Sequence, residues 1–299
     1  MKKISSQTIL KRIAGIIRKN KTFFLAGHIN PDGDTLGSCL ALASVLKRLG
    51  KKATVFVVGA VPQNLGFLPG INEVQTQINP QASYDAGILM ECSNLERTGS
   101  ILDFKRQIKT LVNIDHHKTS TPYAHVNLIE PKSASNAELV YRVINALQVK
   151  MKKEEAMCLY VGIATDTGRF HYSNTTPETL ETVADLLRLG VPASSINDRL
   201  FATKPLPALK LLGKCLTTLS LEHHGTICIQ TIDHKTLEEC GALMEHSDDI
   251  VNYGLMIPGV AASILIKEEK KDPPRVSVSL RARDTVDMSA VAEVFGGGG

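Results

Sequence analysis

At 299 residues the chain is longer than one ordinary core needs, so two domains are expected. With 43% hydrophobic and 21% charged residues, 13 prolines and no low-complexity tract or long-period repeat, the composition is globular rather than fibrous or disordered. No apolar run reaches the roughly 18 residues of a membrane span, and a net charge of +4 is by itself too mild to imply long-duplex binding.

The pattern begins with a basic amphipathic stretch over Met1–Thr22 that places Ile9, Ile13, Ile16 and Ile17 on one face. It has neither a continuous apolar core nor a small-residue cleavage site, so it does not read as a secretory signal. The six cysteines are scattered without a CxxC pair, which argues against a disulfide framework or a zinc knuckle. A cytoplasmic protein with no membrane partner is the expectation. Thr22–Ala26 reads as a strand and Thr35–Leu49 as a helix. Further strands are predicted at Ala53–Val58, Gly87–Met90 and Thr110–Ile114, all nearly continuous apolar runs of the kind buried on both faces. Helical patterns follow at Ala134–Leu147 and Glu154–Thr165. Strands alternating with helices imply βαβ units, so the fold class is α/β with a mainly parallel sheet flanked by helices.

From Gly190 to Pro207, prolines and serines mark a connector with at most one helical turn. Strands are predicted beyond it at Leu216–Leu221, Thr226–Ile232, Ala261–Ile266 and Val276–Leu280, with a helix near Lys235–Glu245. The reading is a first domain over 1–190, a connector over 191–210 and a smaller α/β domain over 211–299.

Chemistry concentrates just past the predicted strands. Gly27-His28-Ile29-Asn30-Pro31-Asp32-Gly33-Asp34 links the first strand to a helix, with Pro31 and Gly33 making a tight loop in which Gly33 can take a positive φ. One histidine and two carboxylates form a hard donor set suited to manganese or magnesium. The alternative is a loop whose Asp34 caps the helix. Glu91 follows the strand ending at Met90, Asp115-His116-His117 follows the strand ending at Ile114, and Asp166 ends an apolar helical segment. In an open α/β sheet the C-terminal strand edge is where ligands bind. A set of solvated loops would have to repeat that coincidence several times.

His28-x-x-Pro31-Asp32-Gly33-Asp34, Asp115-His116-His117 and Thr165-Asp166-Thr167-Gly168 resemble the motifs of the DHH phosphoesterase superfamily. Ser279-Leu280-Arg281 followed by Phe295-Gly296-Gly297-Gly298-Gly299 resembles its DHHA1 subfamily, so the resemblance runs from Phe23 to Gly299. The length is most similar to nanoRNases that also dephosphorylate 3',5'-bisphosphate nucleotides such as pAp. The resemblance implies two Mn2+ ions per chain, with Mg2+ or Co2+ as substitutes, and a shared activated hydroxide. It assigns His28 and Asp32 to the first ion, Asp34, His116 and Asp166 to the second, and Glu91 to both. His117 would face the substrate phosphate and Asp115 would orient the histidines. The family's bridging position is usually Asp, and Glu91 departs from it by one methylene. Asp85 is the only nearby substitute, and it lies at the wrong end of its strand.

The second domain is expected to grip one end of the substrate through Arg281, Ser279, Gly297 and Gly298, because glycine-rich backbone commonly cradles anions. A plain glycine linker is the alternative. In the family the glycines continue into a His-containing segment beyond the position of Gly299. Arg97 and Arg169 each follow a ligand closely and are candidate phosphate contacts, or else structural ion pairs. The expected partners are short single-stranded RNA or DNA oligonucleotides and pAp, and a homodimer is compatible with the chain. Rival readings keep the metals and change the substrate to a cyclic dinucleotide, pyrophosphate or, as in RecJ-like exonucleases, DNA. A rival of another class is a degenerate nucleotide-binding protein.

Overall fold

The computed structural model describes residues 5–99, 104–247, 249–269, 275–283 and 286–297, without the side chains of 104, 105 and 289. The chain divides into two compact units, Met1–Ala202 and Thr203–Gly299. In the first, α1 (Ser6–Lys19) is capped by Ser5, which accepts from the Thr8 N–H, and it buries Ala14 together with Ile13 and Ile17 of the predicted isoleucine face, Ile9 and Ile16 being partly buried. There follow β1 (Thr22–Ala26), α2 (Gly33–Arg48), β2 (Lys52–Phe56), β3 (Tyr84–Met90), α3 (Phe104–Gln107), β4 (Ile108–Asp115) and β5 (Val126–Ile129). Helices α4 (Asn136–Leu147), α5 (Lys153–Asp166), α6 (Pro177–Arg188) and α7 (Ala193–Asn197) come next, and a π-helical turn at Asp198–Ala202 ends the unit.

The five strands pair in parallel in the order β2-β1-β3-β4-β5. The α/β class and the parallel sheet are as the alternating pattern implied. Burial on both faces is visible residue by residue. Phe23 and Leu25 join a large core with α1, α2, α4 and α5, while Phe24 and Ala26 join a smaller one with Phe56, Leu89 and Leu111. The winding order of the sheet reverses at β1, which has β2 on one side and β3 on the other. In such sheets the reversal opens a crevice at the C-terminal strand ends. The loops after β1, β3 and β4 all leave from that edge.

The second unit begins with α8 (Leu206–Leu216), followed by β6 (Ser220–Glu222), β7 (Ile227–Ile232), α9 (His234–Cys240), α10 (Val251–Gly254), β8 (Ala262–Glu269), β9 (Arg275–Ala282) and α11 (Met288–Val294). Its sheet runs β6-β7-β8-β9, parallel only between β7 and β8. Leu211, Cys215, Ile232, Leu237, Val251 and Leu265 form its core. All six cysteines are free and buried. Among the described residues, no helix is long and apolar enough to cross a membrane.

Several elements differ from the sequence pattern. Leu216 ends a helix, so the strand expected from Leu216 is shortened to Ser220–Glu222. Pro205 and Pro207 read as loop punctuation, yet they occupy the start of α8, where a missing N–H costs nothing. The helix expected over Lys235–Glu245 stops at Cys240, because Gly241 takes a left-handed conformation (φ 61°) and closes it. The short edge strand β5 and the helix α6 lie outside the predicted set.

The opposite edge of the first sheet is tied by Asp85. Its carboxylate accepts from the Lys109 ammonium (2.8 Å) and from the backbone N–H groups of Lys21 and Thr22 (3.1 Å each), joining the starts of β1, β3 and β4. It is therefore a structural residue inside β3, at the end away from the candidate ligands. These donors, Lys109 first, hold the Asp85 carboxyl well below the usual carboxylate range. A carboxyl depressed in the folded state contributes stability above its unfolded value, near pH 4, and loses it as pH falls toward the folded value. Asp85→Asn should therefore lower stability at pH 7 by about 1 kcal/mol. Urea melts should show the gap to the parent closing below about pH 4. A gap independent of pH would mean that the carboxylate charge is not what matters.

Candidate metal centre

The loop after β1 is shaped by its neighbours. Asp32 caps α2 by accepting from the Thr35 N–H at 2.9 Å, so the capping role falls to Asp32 rather than Asp34. The left-handed residue of the loop is Asn30 (φ 58°), and Gly33 does not take positive φ. Gly33 is required for another reason: a Cβ there would stand 2.6 Å from the Thr165 side chain. Asp34 is fully buried in the first turn of α2 and accepts from the N–H groups of Asn136 (2.6 Å) and Ala137 (2.8 Å) at the start of α4. A helix N-terminus thus receives a carboxylate, the favourable polarity for its dipole.

Glu91 stands just past β3 with a left-handed backbone (φ 57°), an uncommon state for a non-glycine residue that concentrates at functional sites. Its Oε1 lies 3.3 Å from His116 Nε2, and its Oε2 lies 3.9 Å from His28 Nε2. Thr35 donates its hydroxyl to Oε2. His116 Nε2 also faces Asp166 Oδ2 at 3.5 Å and Asp34 Oδ2 at 4.0 Å, while His28 Nε2 faces Asp32 Oδ2 at 3.9 Å. Ligand atoms of Asp34, Glu91, His116 and Asp166 lie within 4.8 Å of one another, as do those of His28, Asp32 and Glu91. Glu91 belongs to both groups. The structure thus brings together all six of the residues expected as ligands.

The far ring nitrogens are anchored. His28 Nδ1 is 2.7 Å from the Ile29 carbonyl and His116 Nδ1 is 3.3 Å from the Ser133 carbonyl; a carbonyl only accepts, so Nδ1–H donates and Nε2 keeps its lone pair as the ligand atom of each ring. Asp115, fully buried at the end of β4, accepts from the backbone N–H of His117 (3.0 Å) and pairs with its Nδ1 (2.7 Å). Burial raises the Asp115 carboxyl, but these His117 contacts outweigh it and hold the group below its ordinary value.

Electrostatics give the cluster its character. Burial, then Asp32, Asp34 and Asp166, drive Glu91 well above the ordinary carboxyl range. Burial also raises Asp34, with His116 opposing and Asp32 adding to it. Asp166 is pushed up to about 9 by burial and then by Asp34 and Asp32. Among the described residues no lysine or arginine pairs with any of the four. His116 Nε2, although buried and faced by three carboxylates, makes no hydrogen bond among the described residues. Oxygen and imidazole donors converging on a point without a protein cation fit divalent ions, and the cluster can bind metal.

The Arg97 carbonyl accepts from the Ile29 N–H of the loop after β1 at 2.8 Å. Arg97 is half-buried in the 3₁₀ turn Leu95–Thr98. Exposed Arg169 has a positive φ of 62° and stacks its guanidinium 5.1 Å over the Phe201 ring. Ser279 and exposed Arg281 stand on β9 opposite Leu265 and Ser263. Gly297 donates to the Ala292 carbonyl at 2.8 Å and ends α11, and Gly298 lies outside the described residues. Sequence reasoning missed the Asn136 and Ala137 amides and the Ser133 carbonyl. The only signal for them is the Ser135-x-x-Glu138 spacing that marks the start of α4, where Ser135 accepts from the Glu138 N–H.

Residues 22–163 match the family model described as "DHH family, N-terminal domain". The chain is 32% identical over 97% of its length, and 83% of the relative's, to the "Bifunctional oligoribonuclease and PAP phosphatase NrnA" of Thermus thermophilus. The chain belongs to the DHH family. Within it, this DHH protein groups with the NrnA type, since the Bacillus subtilis protein of the same name is 28% identical over 93% of the chain and 86% of its own length. The fold is shared with an exopolyphosphatase-related protein from Bacteroides fragilis (TM-score 0.92, 24% identity, 100% of this chain and 90% of the other).

The raised carboxyls set a pH dependence for the protein in chelator. A carboxyl raised in the folded state contributes stability below its unfolded value and loses it as pH rises through the folded value. With Asp166 at about 9, unfolding stability in chelator should fall as pH rises across the range from about 4 to 9. Asp166→Asn should flatten that slope in a series of urea melts. An identical slope in the variant would show that Asp166 does not carry the effect.

Proposed function

We propose that this DHH protein is a phosphoester hydrolase acting on short oligoribonucleotides and on pAp-type bisphosphate nucleotides, with two manganese ions in the cluster. The observation that carries the reading is the Glu91 carboxylate, whose two oxygens face His116 and His28 from the middle of two ligand groups. The names of the Thermus and Bacillus relatives supply the substrate class.

His28, Asp32 and Glu91 would hold one ion, and Asp34, His116, Asp166 and Glu91 the other. Bound ions would supply Lewis acidity, lowering the pKa of a water and neutralising charge on the phosphoryl oxygens, which is the main demand of phosphoryl transfer. The chain's own residues set the geometry for this. The helix start at Asn136 and Ala137 fixes Asp34 against rotation, and Thr35 fixes Glu91. Asp115 fixes the His117 ring through Nδ1, leaving Nε2 as the nitrogen that can bind a substrate phosphate oxygen. No protein nucleophile is required, and Ser38 is committed to Asp34 at 3.4 Å.

Turnover of a labelled dinucleotide and of pAp should require added manganese, and Asp34→Ala should abolish it by removing a ligand no neighbour can replace. Glu91→Asp should retain activity, and Glu91→Gln should lose most of it, because a neutral amide is a poor bridge between cations. Parent-like turnover by Glu91→Gln with unchanged metal binding would remove Glu91 from the bridge.

Arg281 is proposed to bind an anionic end of the nucleotide chain. Arg281→Ala should weaken the transition state for a dinucleotide by roughly 1.5–3 kcal/mol, the size of one charge-assisted hydrogen bond. Hydrolysis of bis(p-nitrophenyl) phosphate, a small generic diester, should be spared. Equal losses on both substrates would make Arg281 a folding residue.

A further inference from the structure

The modest net charge of +4 conceals an uneven distribution within the first unit. Asp32, Asp34, Glu91 and Asp166 gather at the C-terminal strand ends, and the opposite edge of the same sheet is basic. There Arg18 and Lys19 close α1, Lys21 precedes β1, Lys51 and Lys52 meet the start of β2, and Lys150 lies past the end of α4. Backbone contacts tie them into one surface. Lys52 N–H donates to the Lys21 carbonyl and Lys51 Nζ to the Arg18 carbonyl, each at 2.9 Å. The Arg18 guanidinium reaches the Ala146 and Leu147 carbonyls at the end of α4 (3.3 and 3.4 Å), and Arg48 reaches the Lys150 carbonyl at 2.8 Å.

These charges are uncompensated. Lys19, Lys21, Lys52 and Lys150 are exposed, and among the described residues none of them pairs with a carboxylate. The adjacent Asp85 is already matched by Lys109, and Glu155 is buried against Arg48. A helix C-terminus favours cations, which accounts for Arg18 and Lys19. It also accounts for Lys51, whose ammonium donates to the Arg18 carbonyl in the last turn of α1, but not for Lys21 and Lys52 at strand starts.

We propose that this edge is a second anion-binding surface, which takes the phosphate backbone of a nucleic-acid strand and is separate from the metal-binding cluster. Flexible lysine ammoniums act as point charges that meet phosphates without a fixed geometry, the pattern of sequence-independent backbone contact. A membrane surface would need an apolar flank to insert, but Ile13 and Ile17 of α1 are committed to the core. β1 is five residues long, so the two edges lie about 17 Å apart, and a nucleotide seated at the carboxylate end is not what the basic edge would hold. The field favours this edge as well, because the carboxylate end repels a bare polyanion and the lysine end attracts it.

The test is run in chelator, so it stands whether or not the metal reading of the cluster holds. Fluorescence anisotropy would follow a labelled oligouridylate several times longer than the proposed substrates across a salt series. The parent should bind at low salt. The variant Lys19→Gln/Lys21→Gln/Lys52→Gln/Lys150→Gln should bind at least ten-fold more weakly, and its log–log salt slope should be shallower by about 0.7 for each phosphate no longer neutralised, about 3 in all. Lys210→Gln, at an exposed lysine of α8, should bind like the parent. The double variant Lys21→Gln/Lys52→Gln, with half the slope change, serves if thermal melting shows the quadruple unfolded. Unchanged affinity and slope, or an equal loss in Lys210→Gln, would overturn the proposal. Binding of the parent to phosphatidylglycerol vesicles but not to oligouridylate would overturn it in favour of a membrane surface.

Discussion

Buried like charges brought within a few ångströms of one another are the constraint around which the first unit is organised. Taking a carboxylate out of water is costly unless it is paired, and placing several together adds repulsion to desolvation. The chain meets this cost with neutral donors. Asp34 takes two amide N–H groups from the start of α4, Glu91 takes the Thr35 hydroxyl, and Asp32 takes the Thr35 amide as the cap of α2. None of these donors supplies a full positive charge. The cluster is therefore held in place without being neutralised, the state that suits a site meant for divalent cations.

The fold makes this arrangement possible. Parallel strands deliver their C-terminal loops to one edge, and the reversal at β1 separates the loops after β1 and β3 enough for side chains to converge between them. Helix packing then fixes the details. A Cβ on Gly162 of α5 would stand 2.6 Å from Asp34 Oδ1, and one on Gly37 of α2 would stand 2.3 Å from the Cys158 carbonyl. Close approach of α2 and α5 is what carries Asp34 and Asp166 to the same point.

Legibility in the sequence followed the range of the interactions. The apolar runs of β1, β3 and β4 and the cluster of candidate ligands just beyond them were readable, because strand period and strand-end position are local properties. So was the α/β class. The pairing of Asp34 with amides more than 100 residues away was not readable, since backbone N–H groups carry no residue-type signal. Gly33 looked like a residue chosen for positive φ and is instead a residue chosen for space, a distinction only the position of Thr165 reveals. The helix α8 was hidden because proline marks both loops and helix starts, and only tertiary packing of Leu211 and Cys215 decides between them.

The glutamate at position 91 is best understood through its backbone. At φ 57° the chain turns sharply out of β3, and Glu91 N–H still reaches the Ile114 carbonyl at 3.1 Å, so the turn is fixed on the β4 side. From that position the side chain must cross to the space between two histidines that belong to different loops. The carboxylate of Glu91 does so with one oxygen 3.3 Å from His116 Nε2 and the other 3.9 Å from His28 Nε2. An aspartate would start from a more comfortable left-handed backbone, since short polar side chains tolerate it better. It would also have one bond less of reach. Strain and reach therefore oppose each other at this position, and Thr35, by holding Oε2, helps keep the longer side chain where its two oxygens face both histidines.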